Sequence, residues 1–222
     1  MSDIMYPEVL TVGSGAVKVA TVGDSLTYGY GLENREKDAY PCILAEKLGH
    51  HYQVSNYGLS GRSLQSTADF PYFKEKNAQL SLESEADIVI IMIGSNDSRG
   101  PYWNRERFIR EYREMAEQYM DLPSQPDVYL VIPPYVPTSR FGLNNQIIED
   151  ELQKIIPAIG NELGLPVINL YTVTEGHLEY YSDGLHLTPL GNQVIAEEIY
   201  TQQKSKANQS SVFKPLSTNN WF

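Results

Sequence analysis

Short β-branched runs alternate with longer amphipathic stretches along almost the whole chain. Val17-Lys-Val-Ala-Thr-Val22 predicts a buried strand that stops at Gly23, and Ala39 to Leu48 predicts a helix with Pro41 in its first turn, where a missing N–H costs nothing. Gln53 to Asn56 is a short second strand. Asp87-Ile-Val-Ile-Ile-Met-Ile93 is apolar at successive positions, as a central parallel strand covered on both faces must be. Phe108, Ile109, Tyr112, Met115, Ala116, Tyr119 and Met120 recur at helical spacing, so Glu106 to Met120 is a helix; Val128 to Ile132 follows as a fourth strand, stopped by Pro133-Pro134. From Asn144 to Leu163 the apolar positions again trace one helix face, and Pro157 inside that run should kink or split it. Val167 to Leu170 is the fifth strand, and Thr188-Pro189 is an N-cap and N1 pair opening a last helix to about Lys204.

Five strands alternating with helices predict a three-layer α/β/α sandwich around a five-stranded parallel sheet. Right-handed crossovers leave few topologies, of which a flavodoxin-like strand order is the simplest. In such sheets the functional site lies beyond the carboxyl ends of the strands, which directs attention to the loops that follow them.

A chain of 222 residues with 41% hydrophobic residues suits a single domain with a full core, here residues 1–204. Residues 205–222 are polar and Ser/Asn-rich and are expected to form a loosely ordered tail. Its terminal Trp221-Phe222 suits docking on the body or on a second subunit of a homo-oligomer. The net charge of −11 argues against nucleic acid and anionic membrane surfaces as partners. No apolar run reaches the ~18 residues of a membrane span, and Met1 to Glu8 lacks the basic and apolar regions of a secretory signal. The expectation is a cytoplasmic protein, with a mature exported chain as the alternative. Cys42 is the single cysteine, so there is no internal disulfide.

The chemistry-bearing residues fall in the loops. Gly23-Asp24-Ser25-Leu26 follows the first strand, Asn56-Tyr57-Gly58-Leu59-Ser60-Gly61 the second and Gly94-Ser95-Asn96-Asp97 the third, while Asp183-Gly-Leu-His186 precedes the last helix. Taken in this order, the four blocks resemble the signature of the GDSL/SGNH hydrolases and span about three quarters of the chain. Thr27 stands where an α/β-hydrolase elbow would have its second glycine, and the acid lies just before the histidine near the chain's end. Both features argue against the α/β-hydrolase fold.

A serine hydroxyl needs a base to take its proton as it attacks. Of the four histidines, His50 and His51 lie between a helix end and a strand, and His177 lies on a polar loop among Glu175 and Glu179. His186 remains as the base, and Asp183 can orient its imidazole from within one turn of chain. The resemblance implies the triad Ser25, Asp183 and His186, with the oxyanion hole formed by the backbone N–H groups of Ser25 and Gly61 and the side-chain amide of Asn96. Gly61 is expected to be glycine because a side chain would obstruct approach. Asp24 and Asp97 are expected to hold the loops through backbone amides. With dispersed carboxylates and one histidine at the site, no metal and no cofactor are expected.

The predicted activity is hydrolysis of small-molecule esters, acetyl first, on a carbohydrate or other small alcohol. Tyr28, Tyr30, Tyr57, Tyr102, Trp103, Tyr135, Tyr180 and Tyr181 crowd the motif loops and suit a sugar ring or short ester, although some of the sixteen tyrosines should simply cap the sheet. Arg62 and Arg99 are expected to pair with surface acids. A lysophospholipase or thioesterase is the alternative within the class. Outside it stand a non-catalytic flavodoxin-like binding module, disfavoured because the first loop has no glycine-rich cradle, and a degenerate relative used for interaction.

Overall fold

A computed structural model describes residues 15–212 together with a two-residue strand, Glu8–Val9. Trp221 and Phe222 lie outside the described residues. The parallel strands are β2 (Val17–Gly23), β3 (Tyr52–Asn56), β4 (Ile88–Met92), β5 (Asp127–Ile132) and β6 (Val167–Asn169). With β1 (Glu8–Val9) at the edge, the sheet order is β1-β3-β2-β4-β5-β6. The five parallel strands therefore follow the flavodoxin-like order expected. What sequence periodicity does not reveal is β1, which pairs antiparallel with β3 through Glu8 opposite Asn56 and Val9 opposite Ser55.

The period-two alternation of strands divides the core into two layers. In β4 and just beyond it, Val89, Ile91 and Ile93 pack with Phe108, Tyr112, Met115 and Ile156 on one face. Ile90 and Met92 pack with Leu44, Leu170, Ile195 and Ile199 on the other. All five of these strand residues are essentially inaccessible to solvent, which explains why this stretch carries no polar side.

Two helices differ from their predicted form. The run from 144 to 163 is broken upstream of its proline: Asn145–Ile147 is one α-turn, Ile148–Leu152 a π-turn, and Gln153–Leu163 the α-helix that contains Pro157. Pro157 has no N–H to donate, and its ring crowds the carbonyl of Gln153, so the chain widens in the turn immediately before. The last helix starts as expected, with Thr188 Oγ1 accepting from Gly191 N at 3.2 Å, but it continues past Lys204 to Val212. Among the described residues no helix is long and apolar enough to cross a membrane.

Candidate active site

The loop after β2 is shaped by what Gly23 lacks. A Cβ there would lie 2.2 Å from the Met92 carbonyl oxygen and 2.4 Å from Thr27 Oγ1, so only glycine lets β2 run this close to β4 and turn. Asp24 then caps a one-turn helix, Ser25–Tyr28, by accepting from Leu26 N at 2.9 Å. Ser25 thereby opens that helix, and its side chain is buried.

Asp183 and His186 come to Ser25 on a loop closed at its base. Ser182 N donates to the His186 carbonyl at 2.9 Å, and Thr188 N donates to the Tyr180 carbonyl at 2.8 Å. Asp183 Oδ1 accepts from the backbone N–H groups of Leu185 and His186 at 3.0 and 2.8 Å. Its Oδ2 lies 2.8 Å from His186 Nδ1, and His186 Nε2 lies 3.1 Å from Ser25 Oγ. Burial pushes the Asp183 carboxyl up, but the bonds from the His186 imidazole and from the two amides outweigh it and hold the group below its usual range. A carboxylate on Nδ1 keeps that nitrogen protonated and leaves the Nε2 lone pair facing the hydroxyl. The arrangement can accept a proton from Ser25 and return it to a leaving group.

Three further groups border the serine loop. The N–H groups of Ser25 and Gly61 have no acceptor among the described residues. Gly61 adopts φ +77°, while a Cβ there would meet no protein atom within 4 Å. Its left-handed backbone favours glycine whatever the space around it. Asn96 is buried on the loop after β4, and both hydrogens of its amide are engaged. Nδ2 donates to Asp24 Oδ2 at 3.2 Å and to the Arg62 carbonyl at 3.0 Å. To reach an oxyanion, Asn96 must exchange the Arg62 carbonyl for it. An ionised acceptor would bind that hydrogen roughly twice as strongly as the neutral carbonyl does.

Asp24 and Asp97 sit behind these groups. Asp97 ties the loop after β3 to the loop after β4, accepting from Leu64 N at 2.8 Å and Gln65 N at 2.7 Å. Burial pushes its carboxyl up to about 7 against the pull of those amides, and pushes Asp24 up to about 6 against the Leu26 amide and Arg99. Both folded values exceed the ~3.9 of a free aspartate, so between about pH 4 and pH 7 the folded chain binds more protons than the unfolded one. These groups therefore make the fold less stable as pH rises through that window. Asp97→Asn removes one such contribution and leaves one oxygen to serve two amides. Wild type is expected to have the higher urea midpoint at pH 4, with the gap narrowing towards pH 7; a gap that widens would contradict the assignment.

Several side chains occupy places the sequence did not indicate. Tyr57 and Tyr181 are core residues, Arg35 stacks over Tyr28 at 4.3 Å, Tyr102 bonds Asp69, and Tyr180 stacks on His177. Trp103 packs against Phe108 and Tyr135 against Tyr171. Of the eight aromatics expected at the motif loops, only Tyr30 has its ring on the triad, 4.5 Å from the His186 ring. Phe141, which carried no sequence signal, lies 5.7 Å from the same ring. Arg62 pairs with Glu75 at 3.0 Å as expected, but Arg99 has no surface acid as a hydrogen-bonding or ion-pair partner among the described residues. Its guanidinium instead donates to Asn96 Oδ1 at 3.0 Å, which fixes Nδ2 on the opposite side of the amide. Among the described residues no three His, Cys, Asp or Glu side chains gather as a metal site.

Residues 21–194 match the profile of the GDSL-like lipase/acylhydrolase family. An acetylxylan esterase from Xylanibacter ruminicola is 31% identical over 207 residues, covering 83% of this chain but 42% of that protein. The chain therefore spans less than half the length of that relative. An isoamyl acetate-hydrolyzing esterase 1 homolog from Rattus norvegicus is 26% identical, with 87% of this chain and 80% of that protein aligned. Among solved structures, the carbohydrate acetylesterase Est24 from Sinorhizobium meliloti superposes with a TM-score of 0.68 at 20% identity, over 86% of this chain and 99% of that one. The lipase/acylhydrolase from Enterococcus faecalis superposes with a TM-score of 0.64 at 26% identity, over 85% and 96%.

Proposed function

The chain belongs to the GDSL-like lipase/acylhydrolase family, and from that membership we propose that it is a serine ester hydrolase removing short acyl groups, acetyl first, from carbohydrates or other small alcohols. The observation that carries this reading is the unbroken line of contacts from Asp183 through His186 to Ser25. The acetyl preference draws on the acetylxylan esterase and the isoamyl acetate-hydrolyzing esterase homolog among its relatives.

In the proposed mechanism Ser25 Oγ attacks the acyl carbon as its proton passes to His186 Nε2. The carbonyl oxygen becomes an oxyanion held by Ser25 N, Gly61 N and the Asn96 amide, donors that are each typically worth ~2.7–4 kcal/mol to such a transition state. The acyl carbon–oxygen bond to the alcohol then breaks, and the leaving oxygen takes the proton from His186. Water attacks the acyl-enzyme in the same way, giving its proton to His186, and Ser25 recovers a proton as the acid departs. Arg99 and Asp24 hold Asn96 in place, and Asp97 holds the loop that carries Gly61.

The test is hydrolysis of p-nitrophenyl acetate, butyrate and octanoate by wild type and Ser25→Ala in parallel. Serine-dependent activity falling from acetate to octanoate is the expected result. Activity rising towards octanoate would transfer the assignment to lipid or thioester substrates, and no serine-dependent activity on any of the three would overturn it.

A further inference from the structure

The proposed reaction leaves two aromatic rings beside the general base without a task. Tyr30 is 47% exposed and Phe141 46%, although each lies against the ring of His186, which is itself buried. Phe141 belongs to neither core cluster. It also stands at φ +64°, ψ 11°, a left-handed conformation that a bulky aromatic residue adopts only when its surroundings impose it. The other non-glycine residues at positive φ among those described, Glu85 and Gln125, lie in turns before β4 and β5.

The contacts that hold Phe141 lead back to the triad. Arg140 N donates to Thr138 Oγ1 at 3.3 Å, and Thr138 Oγ1 donates to the Gly184 carbonyl at 3.4 Å. Arg140 Nη1 donates to the Asp183 carbonyl at 3.3 Å, and its guanidinium lies 5.1 Å from the Phe141 ring centre. The loop after β5 is thus fastened to the segment that carries the acid and the base, and it presents an exposed ring there at the expense of backbone strain.

Proton bookkeeping identifies what that ring would meet. When the bond between acyl carbon and alkoxy oxygen breaks, the proton taken from Ser25 must pass from His186 Nε2 to that oxygen. The leaving oxygen therefore sits within hydrogen-bond reach of the imidazole, with its carbon skeleton beside it. The acyl group is held from the other direction, by the donors that receive its carbonyl oxygen. Whatever covers Tyr30 and Phe141 is consequently the alcohol and not the acyl chain.

We propose that Tyr30 and Phe141 form the alcohol subsite and select esters whose alcohol is a six-membered ring with a flat C–H or π face, a pyranose or an aryl group. The inference rests on the ester-hydrolase reading of the same site. Its test compares kcat/KM for a monoacetylated methyl xyloside, phenyl acetate and ethyl acetate in wild type, Tyr30→Ala, Phe141→Ala and Phe141→Gly. The glycine variant removes the ring while relieving the left-handed backbone, so a loss shared by both Phe141 variants cannot be strain or misfolding. All three substrates acetylate the same Ser25, so damage to the attacking serine lowers all three, and kcat/KM does not register the later hydrolysis of the acetyl-enzyme. Loss of an aromatic contact lowers the ring esters selectively, by about tenfold or more relative to ethyl acetate. Selective loss for the xyloside assigns the subsite to sugars, and selective loss for phenyl acetate assigns it to aryl alcohols. An unchanged ratio of ring ester to ethyl acetate in all three variants overturns the proposal. If wild type hydrolyses none of the acetates in a Ser25-dependent way, the ester-hydrolase reading itself has failed.

Discussion

Ser25→Ala is expected to lower ester turnover by about a millionfold, the scale seen when a triad nucleophile is removed, and to leave the fold in place. The size of the effect follows from the hydroxyl's isolation. Its hydrogen-bond partner among the described residues is His186 Nε2, so no second hydroxyl is poised to substitute for it. The structural cost is small because Ser25 does not cap its own helix; Asp24 does, through Leu26 N. What disappears is one hydrogen bond, worth about 1 kcal/mol in net stability. The backbone N–H of residue 25 survives the substitution, so all three proposed oxyanion donors remain. Residual activity above the uncatalysed rate is therefore expected. Steady-state kinetics with p-nitrophenyl acetate, beside thermal melts of both proteins, separates loss of chemistry from loss of fold. A variant that keeps more than about one hundredth of wild-type kcat/KM would exclude Ser25 as the nucleophile, since triad losses run orders of magnitude beyond that.

Legibility in the sequence follows the range of the interaction that defines each feature. Ile88–Met92 announces itself because residues facing both layers must be apolar, and that requirement is written in consecutive positions. Thr188 is readable because a helix cap is a contact three residues long. The motif loops could be grouped because a parallel sheet delivers every strand's carboxyl end to one edge. By contrast β1 exists only through its pairing with residues 55 and 56, and two residues carry no periodicity of their own. Phe141 was invisible because Thr138 and Arg140 beside it are fastened to the distant Asp183–Gly184 segment, contacts that span more than forty residues.

Charged and amphipathic side chains misled for a related reason. Arg99 looks like a surface residue by type, yet its partner is the buried amide of Asn96 on the next turn. The tyrosines of the motif loops looked like a binding surface, but Tyr57 and Tyr181 are core residues. Elsewhere in the core the tyrosine hydroxyl finds a polar partner, Tyr72 with the Tyr57 carbonyl at 2.8 Å and Tyr119 with Ser81 at 2.6 Å. The engagement of Asn96 by the Arg62 carbonyl and Asp24 depends on three loops meeting, and no spacing within any one of them encodes it.

Asp183→Asn is expected to lower turnover by about ten-thousandfold, although the side chain changes by a single atom. The asymmetry of its partners decides the outcome. Oδ1 accepts two backbone N–H groups, from Leu185 and His186, so the amide oxygen of asparagine must take that place. The opposite flip would set an NH2 group against two donors. The asparagine NH2 then faces His186 Nδ1, where it can only donate. Nδ1 must in turn act as acceptor, which moves the imidazole proton to Nε2, the atom facing Ser25 Oγ at 3.1 Å. A protonated Nε2 cannot take the serine proton, so the base is present, correctly placed and in the wrong tautomer. Asp183→Ala relieves the tautomer constraint but loses the anion that stabilises the imidazolium. The paired measurement is kcat/KM for both variants on p-nitrophenyl acetate, with the NMR signals of the His186 ring nitrogens reporting the proton's position. A ring proton on Nε2 in Asp183→Asn, together with the expected loss, would establish that the carboxylate acts by fixing the tautomer. Full activity with the proton still on Nδ1 would show that the Leu185 and His186 amides do not set the orientation of residue 183.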